Sequence, residues 1–501
     1  MTKRVAWIAA AVVFLVHALA NPHYGFFRDE LYFIICGRHP QFGYVDQPPV
    51  IPLISAFTQI GGHSLFLLRL FPALCSAIGA FVIVLLTEEF GSGLFAQVFA
   101  VVVYACTDVL SNFGMKVSTD VIALWSWPLL AYLIVRIVKG ADPRLWLAAG
   151  AVAGFSLESK YSVIFFLVAL LAGLLLTAQR SILFNRWFAA GGALAILIAL
   201  PNLLWQAHYG FPMWELLRAG QNGKNEIVGP FVYMIQEVLI TNLFLFPVWA
   251  IGVVWLFLRP PFRFLGYTYV ILIAEMMVLH GKHYYPANVY QITIAAGATA
   301  IELWTRRAAL VRYAVGAYTL LFGWWFIPFS LPILPPPTFV AYQTKLYAIL
   351  HKPKNLTTET EHGRDANPLP GDWADMQGWP EMAATVKRVY ESLSPAERAH
   401  AVVFGDNYGE ASAVAFFTPD VPVISGHNQY WLWGYDGYDG KVLIQIGGTC
   451  WHAEHHFRSR TIAAVIRSPW AINYETNIPI NICRGLRIPL ATAWAEAKVY
   501  E

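Results

Sequence analysis

The residues best suited to chemistry in this chain are an acidic pair, Asp29 and Glu30, within the stretch Phe-Phe-Arg-Asp-Glu-Leu-Tyr. The pair follows the first apolar segment long enough to cross a bilayer, so both carboxylates are expected at a membrane surface. A carboxylate there can take a proton from an acceptor hydroxyl as a general base. Asp29 also stands where a helix could begin, and an Asp cap stabilises a helix by about 1 kcal/mol. Both interpretations stay open, because one side chain can serve both roles.

Further ionisable groups stand at the ends of apolar segments on the same predicted side of the membrane. Charge near a bilayer is costly and tends to face a cavity or a partner. Each lysine could instead simply extend to the lipid headgroups. Their grouping on one face favours a shared cavity. These groups are Lys116, Asp120, Glu158, Lys160 and the Lys-His-Tyr-Tyr stretch at residues 282–285.

Carboxylates combined with several cations at a lipid boundary suit transfer from an anionic lipid carrier. The cations would hold the carrier phosphate and offset the charge that develops as it departs. A phosphate leaving group needs little proton donation, so one base could suffice. By analogy with glycoside hydrolysis, direct displacement of this kind inverts the reacting carbon.

The elements that must position these residues are transmembrane helices. Hydrophobic residues make up 57% of the 501-residue chain and charged residues only 13%, far from the soluble average of about 25% charged. The apolar residues form blocks of about 17 to 25, the length of a membrane-crossing helix. We therefore predict a polytopic α-helical membrane protein with about eleven spans. They begin near Val5, Leu65, Leu94, Val121, Leu145, Tyr161, Trp187, Val232, Phe264, Ala287 and Ala308.

Basic residues predict the orientation of these spans. With the N-terminus inside, nearly every inner loop carries Lys or Arg, as the positive-inside rule requires, and the outer loops and the C-terminal region face outward. The net charge of +3 is too small and too scattered for nucleic-acid binding. The predicted location is the cytoplasmic (inner) membrane. A cleavable signal peptide is the alternative for the N-terminus and would leave the rest of the topology unchanged.

A Pro-rich stretch at residues 332–337 divides the chain. We predict a transmembrane domain at residues 1–334 and an outward-facing, extracytoplasmic α/β domain at residues 335–501. Within the second domain, residues 381–393 have helical periodicity and short apolar runs resemble strands. Those runs are residues 399–404, 422–425, 442–446 and 461–466.

Two features of the second domain each allow two interpretations. Cys450 and Cys483 could form a disulfide in an oxidising compartment or remain unpaired. His452, Glu454, His455 and His456 could hold a metal, although a solvated polar face is the favoured interpretation. The sequence predicts no specific cofactor, and a divalent metal stays an open alternative.

Five motifs of the membrane half together resemble those of the bacterial polyprenyl-phosphate-sugar-dependent membrane glycosyltransferases. This group of the GT-C superfamily includes protein O-mannosyltransferases, aminoarabinose transferases of lipid A and rhizobial galacturonosyl transferases. The motifs are Phe-Arg-Asp-Glu-Leu-Tyr at 27–32, Asp-Gln-Pro-Pro at 46–49, Ser-Thr-Asp at 118–120, the stretch 154–161 ending in Ser-Lys-Tyr, and Lys-His-Tyr-Tyr-Pro at 282–286.

The resemblance implies a GT-C-like fold and a set of site residues. It implies Asp29 as the catalytic acidic residue, with Glu30 completing the pair. Substrate-binding positions implied by the matched motifs are Asp46, Asp120, Lys160, Lys282, His283 and Tyr285, the two lysines touching the donor phosphate. The implied partners are a polyprenyl-phosphate sugar, membrane lipids and a lipid, glycan or protein acceptor. The C-terminal half departs from the named transferases, so the acceptor stays undefined.

Two other functions were weighed against glycosyl transfer. A multi-pass transporter or lipid-handling protein would also carry ionisable groups, but transporter sites usually lie near the bilayer midplane between repeats. A binding or scaffold module on an inert anchor would not need eleven spans. Glycosyl transfer on the outer face of the membrane is therefore the leading hypothesis.

Overall fold

The computed structural model describes residues 1–223, 227–350, 368–451 and 456–500. The first part of the chain is helical throughout. Its helices are α1 Thr2–Ala20, α2 Arg28–Arg38, α3 Val50–Phe57, α4 Leu65–Glu89, α5 Leu94–Ala105, α6 Asp108–Met115, α7 Ala123–Val138, α8 Leu145–Leu157, α9 Val163–Leu175, α10 Arg186–His208, α11 Pro212–Gly223, α12 Pro230–Ile240, α13 Phe246–Leu258, α14 Arg263–Val278, α15 Tyr290–Trp304, α16 Ala309–Gly323 and α17 Ile327–Ser330.

Short 3₁₀ turns connect several of these helices. They cover Ala178–Leu183, Pro260–Phe262, Ala287–Val289 and Trp324–Phe326. Each predicted span start lies within three residues of the start of a helix or of one of these turns.

Five helices of the described ranges are long and apolar enough to cross a membrane, or six if the bent pair α5 and α6 is one span. Five more apolar helices are shorter, at 10–17 residues. One predicted span, beginning near Val232, is broken into α12 and α13, with Asn242 at a positive φ of 80° between them. The polytopic helical fold is thus confirmed, with several spans shorter or more broken than apolar length alone predicts.

Close helix packing is visible where α9 crosses α14. A Cβ atom on Gly173 would overlap the Phe264 carbonyl oxygen and would crowd the Thr268 hydroxyl. Only glycine lets the two backbones approach this far, as small residues do in membrane helix pairs. The contact holds the C-terminal end of α9 against the first turn of α14.

The later part of the chain forms an α/β unit. It contains α18 Pro336–Ile349, α19 Gly371–Ala374, α20 Trp379–Ser392, α21 Pro395–Arg398, α22 Tyr408–Phe417, α23 Gln429–Trp433 and α24 Leu490–Glu496, a short 3₁₀ turn at Asn473–Glu475, and the strands β1 Ala401–Gly405, β2 Val423–Ile424, β3 Val442–Ile446, β4 Phe457–Ile466 and β5 Ile478–Leu486. The predicted helix at 381–393 and the four predicted strands are present. The strand β5 was not predicted.

One mixed sheet organises this unit, in the order β2-β1-β3-β5-β4. The strand β1 pairs in parallel with β2 and β3, whereas β3–β5 and β5–β4 are antiparallel. All residues of β1 and β3 are buried, as continuous apolar runs in a covered sheet should be. The parallel β1–β3 pair directs the loop after β1, residues 406–407, towards α2.

Candidate active site

The carboxylate of Asp29 lies in the first turn of α2 and contacts the α/β unit. Its Oδ1 accepts a hydrogen bond from the Tyr408 hydroxyl at 2.8 Å, and Arg28 Nε lies 3.9 Å from the same oxygen. The side chain is still 31% exposed. Asp29 is therefore oriented by one donor and remains accessible to a substrate hydroxyl.

Glu30 points the other way and is fully buried. Oε1 accepts from Arg69 Nε at 3.0 Å and from the Val117 N–H at 2.9 Å. Oε2 accepts from Arg69 Nη2 and from the Phe27 N–H, both at 2.9 Å. Four donors surround this carboxylate, so its geometry supports a structural role and leaves no place for a substrate hydroxyl.

The same contacts correct the expectation that Asp29 caps a helix. The residue preceding α2 is Phe27, and its N–H is satisfied by Glu30 three positions on. Neighbouring residues on a helix point about 100° apart. Because of this rotation, the Glu30 carboxylate contacts Arg69 among the membrane helices, and the Asp29 carboxylate accepts a hydrogen bond from Tyr408.

Two cations of the membrane part pair with carboxylates of the α/β unit. Arg28 Nε lies 3.4 Å from Asp375 Oδ2, and Lys116 Nζ lies 2.5 Å from Asp372 Oδ2. Burial raises the pKa of Asp375 to about 7 against the lowering effect of Arg28. Lys116 is itself buried, so it neither extends to headgroups nor faces a cavity as an uncompensated charge.

The start of α22 holds Tyr408 in place. Asn407 caps the helix by accepting from the N–H groups of Gly409 and Glu410, at 2.8 and 3.1 Å. Its Nδ2 donates to Glu475 Oε1 at 2.8 Å. Glu475 and Glu410 are both buried, and burial raises the pKa of each carboxyl. This buried polar cluster fixes the helix start that presents the Tyr408 hydroxyl.

Asp46 lies in the loop between α2 and α3, beside the stretch 427–433. The Tyr32 hydroxyl donates to its Oδ1 at 2.9 Å, and Asn428 Nδ2 donates to its Oδ2 at 3.3 Å. The Gln429 N–H donates in turn to the Tyr32 hydroxyl at 3.2 Å. Desolvation raises the pKa of Asp46 to about 7, and the Asp29 carboxylate adds to this. Its charge therefore changes near neutral pH.

The remaining predicted residues form a second group. Lys160 Nζ is 2.7 Å from Asp120 Oδ2 and lies 4.8 Å from the centroid of the Tyr285 ring. Lys160 and Lys282 also lie 5.7 and 6.0 Å from the centroid of the Tyr284 ring. The His283 ring stands edge-on to the same ring, at 6.0 Å. The structure thus brings both lysines, Asp120, His283 and Tyr285 around Tyr284.

Backbone contacts join the two groups. Glu30 accepts from Val117, three residues before Asp120. The Val50 N–H, just after the Asp46 loop, donates to the Glu158 carbonyl at 3.1 Å, and the Ser159 hydroxyl donates to the Thr119 carbonyl at 2.9 Å. The loops that carry the predicted residues are therefore held together at one end of the helices.

Sequence reasoning did not assign roles to Arg69, Arg28 and Tyr408. Arg69 donates to Glu30 and to the carbonyl groups of Asn21, His23 and Gly25. A signal existed for Arg69, because an arginine inside an apolar span is expensive unless it is paired. No local signal pointed from Tyr408 to Asp29, which are 379 residues apart.

The two open questions of the α/β unit have different outcomes. Cys450 and Cys483 form a disulfide with a Cα–Cα distance of 6.0 Å. Of the weighed metal ligands, His452, Glu454 and His455 lie outside the described residues, and His456 Nε2 is 3.5 Å from Glu496. Within the described ranges, no three His, Cys, Asp or Glu side chains form a group that could hold a metal ion.

Comparison with known proteins gives one family match. Residues 46–205 match the family described as dolichyl-phosphate-mannose-protein mannosyltransferase. The match begins at Asp46, so it includes Asp120 and Lys160 but not Asp29. No curated protein matches the sequence.

Two crystal structures of ArnT from Cupriavidus metallidurans share the fold. The apo structure aligns with a TM-score of 0.61 at 14% identity, over 95% of this chain and 97% of ArnT. The structure of ArnT bound to undecaprenyl phosphate aligns with a TM-score of 0.56 at the same identity and coverage.

The fold resemblance extends across the α/β unit as well as the helices, since almost the whole chain is aligned. The family match covers about a third of the chain, and the structural match covers almost all of it. This chain therefore has the multi-pass helical membrane fold of ArnT, and its residues 46–205 are similar to the mannosyltransferase family.

Proposed function

We propose that this protein is a glycosyltransferase that moves one sugar from a polyprenyl phosphate carrier to a lipid, glycan or protein acceptor at the outer face of the cytoplasmic membrane. The α/β unit, from residue 335 onward, is then extracytoplasmic. The observation that carries the proposal is the Asp29 carboxylate, which is partly exposed and held by Tyr408 at 2.8 Å. A base at this position can reach an acceptor that approaches along the membrane surface.

The proposed step is a direct displacement. Asp29 takes the proton of the acceptor hydroxyl while the hydroxyl oxygen forms a bond to the anomeric carbon of the sugar. The bond from that carbon to the phosphate oxygen breaks, and polyprenyl phosphate leaves with the electron pair. The configuration at the anomeric carbon inverts, and Asp29 then releases its proton to solvent.

Lys160 and Lys282 bind the donor phosphate in this proposal. Both lie around the Tyr284 ring, and Asp120 fixes Lys160 through its 2.7 Å ion pair. Cations held near a departing phosphate stabilise the charge that develops on it. His283 and Tyr285 lie in the same short loop and also contact the polyprenyl-phosphate sugar in this proposal.

The other acidic residues have supporting roles. Glu30 is a positioning residue, because its four donors tie α2 to α4 and to the start of the 117–120 segment. Asp46, which contacts Tyr32 and Asn428, faces the stretch 427–433 and is assigned to substrate binding. Trp and Tyr faces in that stretch suit sugar rings.

The similarity to ArnT supports the choice of donor. One of the aligned ArnT structures is bound to undecaprenyl phosphate, and the aligned regions cover nearly all of this chain. The basic and aromatic groups around Tyr284 have the chemistry to bind such a phosphate.

The deciding experiment is glycosyl transfer by the purified protein in liposomes. A panel of radiolabelled polyprenyl-phosphate sugars is offered with membrane extract as acceptor. The Asp29→Asn variant is compared with Asp142→Asn, which alters an exposed carboxylate that accepts a hydrogen bond from the Arg144 N–H. We expect transfer from one donor in the wild type and in Asp142→Asn, and none in Asp29→Asn.

Two results would contradict the proposal. Full activity in a folded Asp29→Asn variant would remove Asp29 as the base. Substrate flux across the liposome membrane without any glycosyl product would favour the transporter hypothesis instead.

A further inference from the structure

A cavity lies at the opposite end of α9 from Lys160. Its volume is about 340 Å³, at the lower end of the range of about 300–1,000 Å³ typical of small-ligand sites. The 13 residues of α9 separate it from Lys160 by about 20 Å, at 1.5 Å per residue. We call it the α9–α14 cavity. It is lined by Leu176, Thr177, Ala178, Gln179, Arg180, Pro260, Arg263 and Tyr267.

The lining contains two arginines and no carboxylate. Arg263 donates from Nε to the Phe257 carbonyl at 3.0 Å, which orients the guanidinium and leaves its terminal nitrogens for other partners. Within the described ranges, neither Arg263 nor Arg180 forms an ion pair with an acidic side chain. The cavity therefore holds two positive charges that the protein itself does not neutralise.

Three other basic residues on the same predicted side have partners within the protein. Arg136 and Lys139 both pair with Glu89, at 3.7 and 2.6 Å, and Arg144 lies over the Trp187 ring. Arg180 and Arg263 differ from these three residues because they share a cavity without such a partner among the described residues, and this points to an anion from outside the chain.

The polar groups in the lining favour phosphate over a simple carboxylate. A guanidinium matches the oxygens of a phosphate through paired N–H donors, and two arginines can contact a tetrahedral group from two sides. Tyr267 adds a hydroxyl to the lining. Basic pockets between membrane helices commonly bind anionic lipid headgroups.

The packing of α9 on α14 gives the cavity a fixed shape. Gly173 contacts the backbone at Phe264, immediately next to Arg263. The Thr177 hydroxyl donates to the Gly173 and Leu174 carbonyl groups at 3.1 and 3.0 Å, which ends α9 sharply. Arg263 begins α14 and Arg180 lies in the 3₁₀ turn that follows α9, so both arginines stand beside this helix contact.

We infer that the α9–α14 cavity binds a phosphate group, supplied by an anionic membrane lipid or by inorganic phosphate, at a site separate from the glycosyl-transfer site. Occupancy would hold the ends of α9 and α14 together and so stabilise the helix that carries the Lys160 turn at its other end. The inference does not depend on which donor or acceptor the enzyme uses.

The test compares two double variants of the full-length protein in nanodiscs of mixed phosphatidylglycerol and phosphatidylcholine. Arg180→Gln with Arg263→Gln removes the cavity charges. Arg306→Gln with Arg307→Gln removes two exposed arginines on the same predicted side, outside the cavity. Native mass spectrometry counts the retained lipids, and a second arm titrates inorganic phosphate into protein in phosphatidylcholine alone.

We expect the wild type and the Arg306/Arg307 variant to retain phosphatidylglycerol, and the Arg180/Arg263 variant to retain it at least tenfold more weakly, since the loss of even one charge-assisted contact weakens binding by about tenfold or more. If the source is inorganic phosphate, the same tenfold difference is seen in the second arm and not in the first. Equal binding by both double variants in both arms would overturn the inference.

A further pair controls for folding. Arg180→Lys with Arg263→Lys keeps the charge and loses the paired donors, so binding should fall less than in the Gln variant. Glycosyl transfer by both cavity variants, measured in phosphatidylcholine alone, is expected to match that of the wild type. A folded, active Gln variant that still binds phosphate as the wild type does would also overturn the inference.

Discussion

Two adjacent carboxylates in the first turn of α2 have different surroundings, which define a Glu30 side and an Asp29 side. On the Glu30 side, a buried ion pair and two backbone donors close the group within the membrane part. On the Asp29 side, one hydroxyl from the α/β unit contacts a carboxylate that stays partly exposed. The same residue chemistry gives a structural anchor on one side and an accessible group on the other.

The comparison shows that the number of hydrogen-bond donors around each carboxylate distinguishes the structural role of Glu30 from the catalytic role proposed for Asp29. A carboxylate that accepts from four N–H donors has no vacant position for a substrate proton. A carboxylate with one hydroxyl donor keeps its second oxygen available. In an acidic pair next to a membrane, the donor count is therefore more informative than the position in the sequence.

The largest expected effect is on activity at the Asp29 side. Asp29→Asn removes the proposed base while keeping size and the contact with Tyr408, so we expect transfer to fall by about 10²–10⁴-fold, the usual contribution of a positioned base. Initial rates in liposomes and the thermal unfolding midpoint in detergent measure this. A midpoint that drops by many degrees would show that Asp29 is structural too, and the contrast between the two sides would fail.

The Glu30 side should respond in stability. Glu30→Gln places an NH₂ group against Arg69 and leaves a buried arginine without its counter-charge, at a cost of about 3–5 kcal/mol. Thermal unfolding of the variant beside Asp29→Asn checks this, with Glu397→Gln as a control, since that side chain forms its ion pair with Arg484 in a more exposed setting. If the Glu30→Gln protein were as stable as the wild type and had lost only its activity, Glu30 would have a catalytic role and not a structural one.

A smaller effect is expected where the two parts of the chain meet. Tyr408→Phe removes the one hydroxyl that orients Asp29, so kcat should fall about tenfold, the value of one hydrogen bond to a charged group, with the KM for the donor unchanged. Tyr435→Phe, in the same α/β unit against Trp494, is the matched control. Equal kcat values in the two variants would mean that Tyr408 does not position Asp29.

The effect expected at Asp46 is confined to the pH dependence of stability. Its pKa in the folded protein, about 7, lies above the ordinary value of 3.8, so the protonated form favours folding. The contribution of Asp46 to the free energy of unfolding is fully present below about pH 4 and is lost as the pH rises through 7. Asp46→Asn should therefore lose less stability than the wild type between pH 5 and 8. If the free energies of unfolding of the two proteins changed equally between pH 5 and 8, that result would contradict the raised pKa of Asp46.

Much of the helical part could be predicted from local patterns. The apolar blocks predicted where helices begin, because burial in a bilayer requires continuous apolar length. The break between α12 and α13 was missed, because Asn242 bonds to the carbonyl groups of Cys106 and Gly323, partners far away in the sequence. The strand β5 was missed for a similar reason, since its pairing with β3 and β4 defines it.

In the candidate site, too, some features follow from the local sequence and others depend on contacts between distant residues. The sequence by itself determined the class of protein, the positions of the ionisable groups and their gathering at one end of the helices, since charge is excluded from apolar spans. Only the tertiary structure decided which carboxylate is enclosed and which is accessible. That choice depends on Arg69 and Tyr408, which lie 39 residues from Glu30 and 379 residues from Asp29, and contacts at such distances arise from packing, which no local pattern encodes.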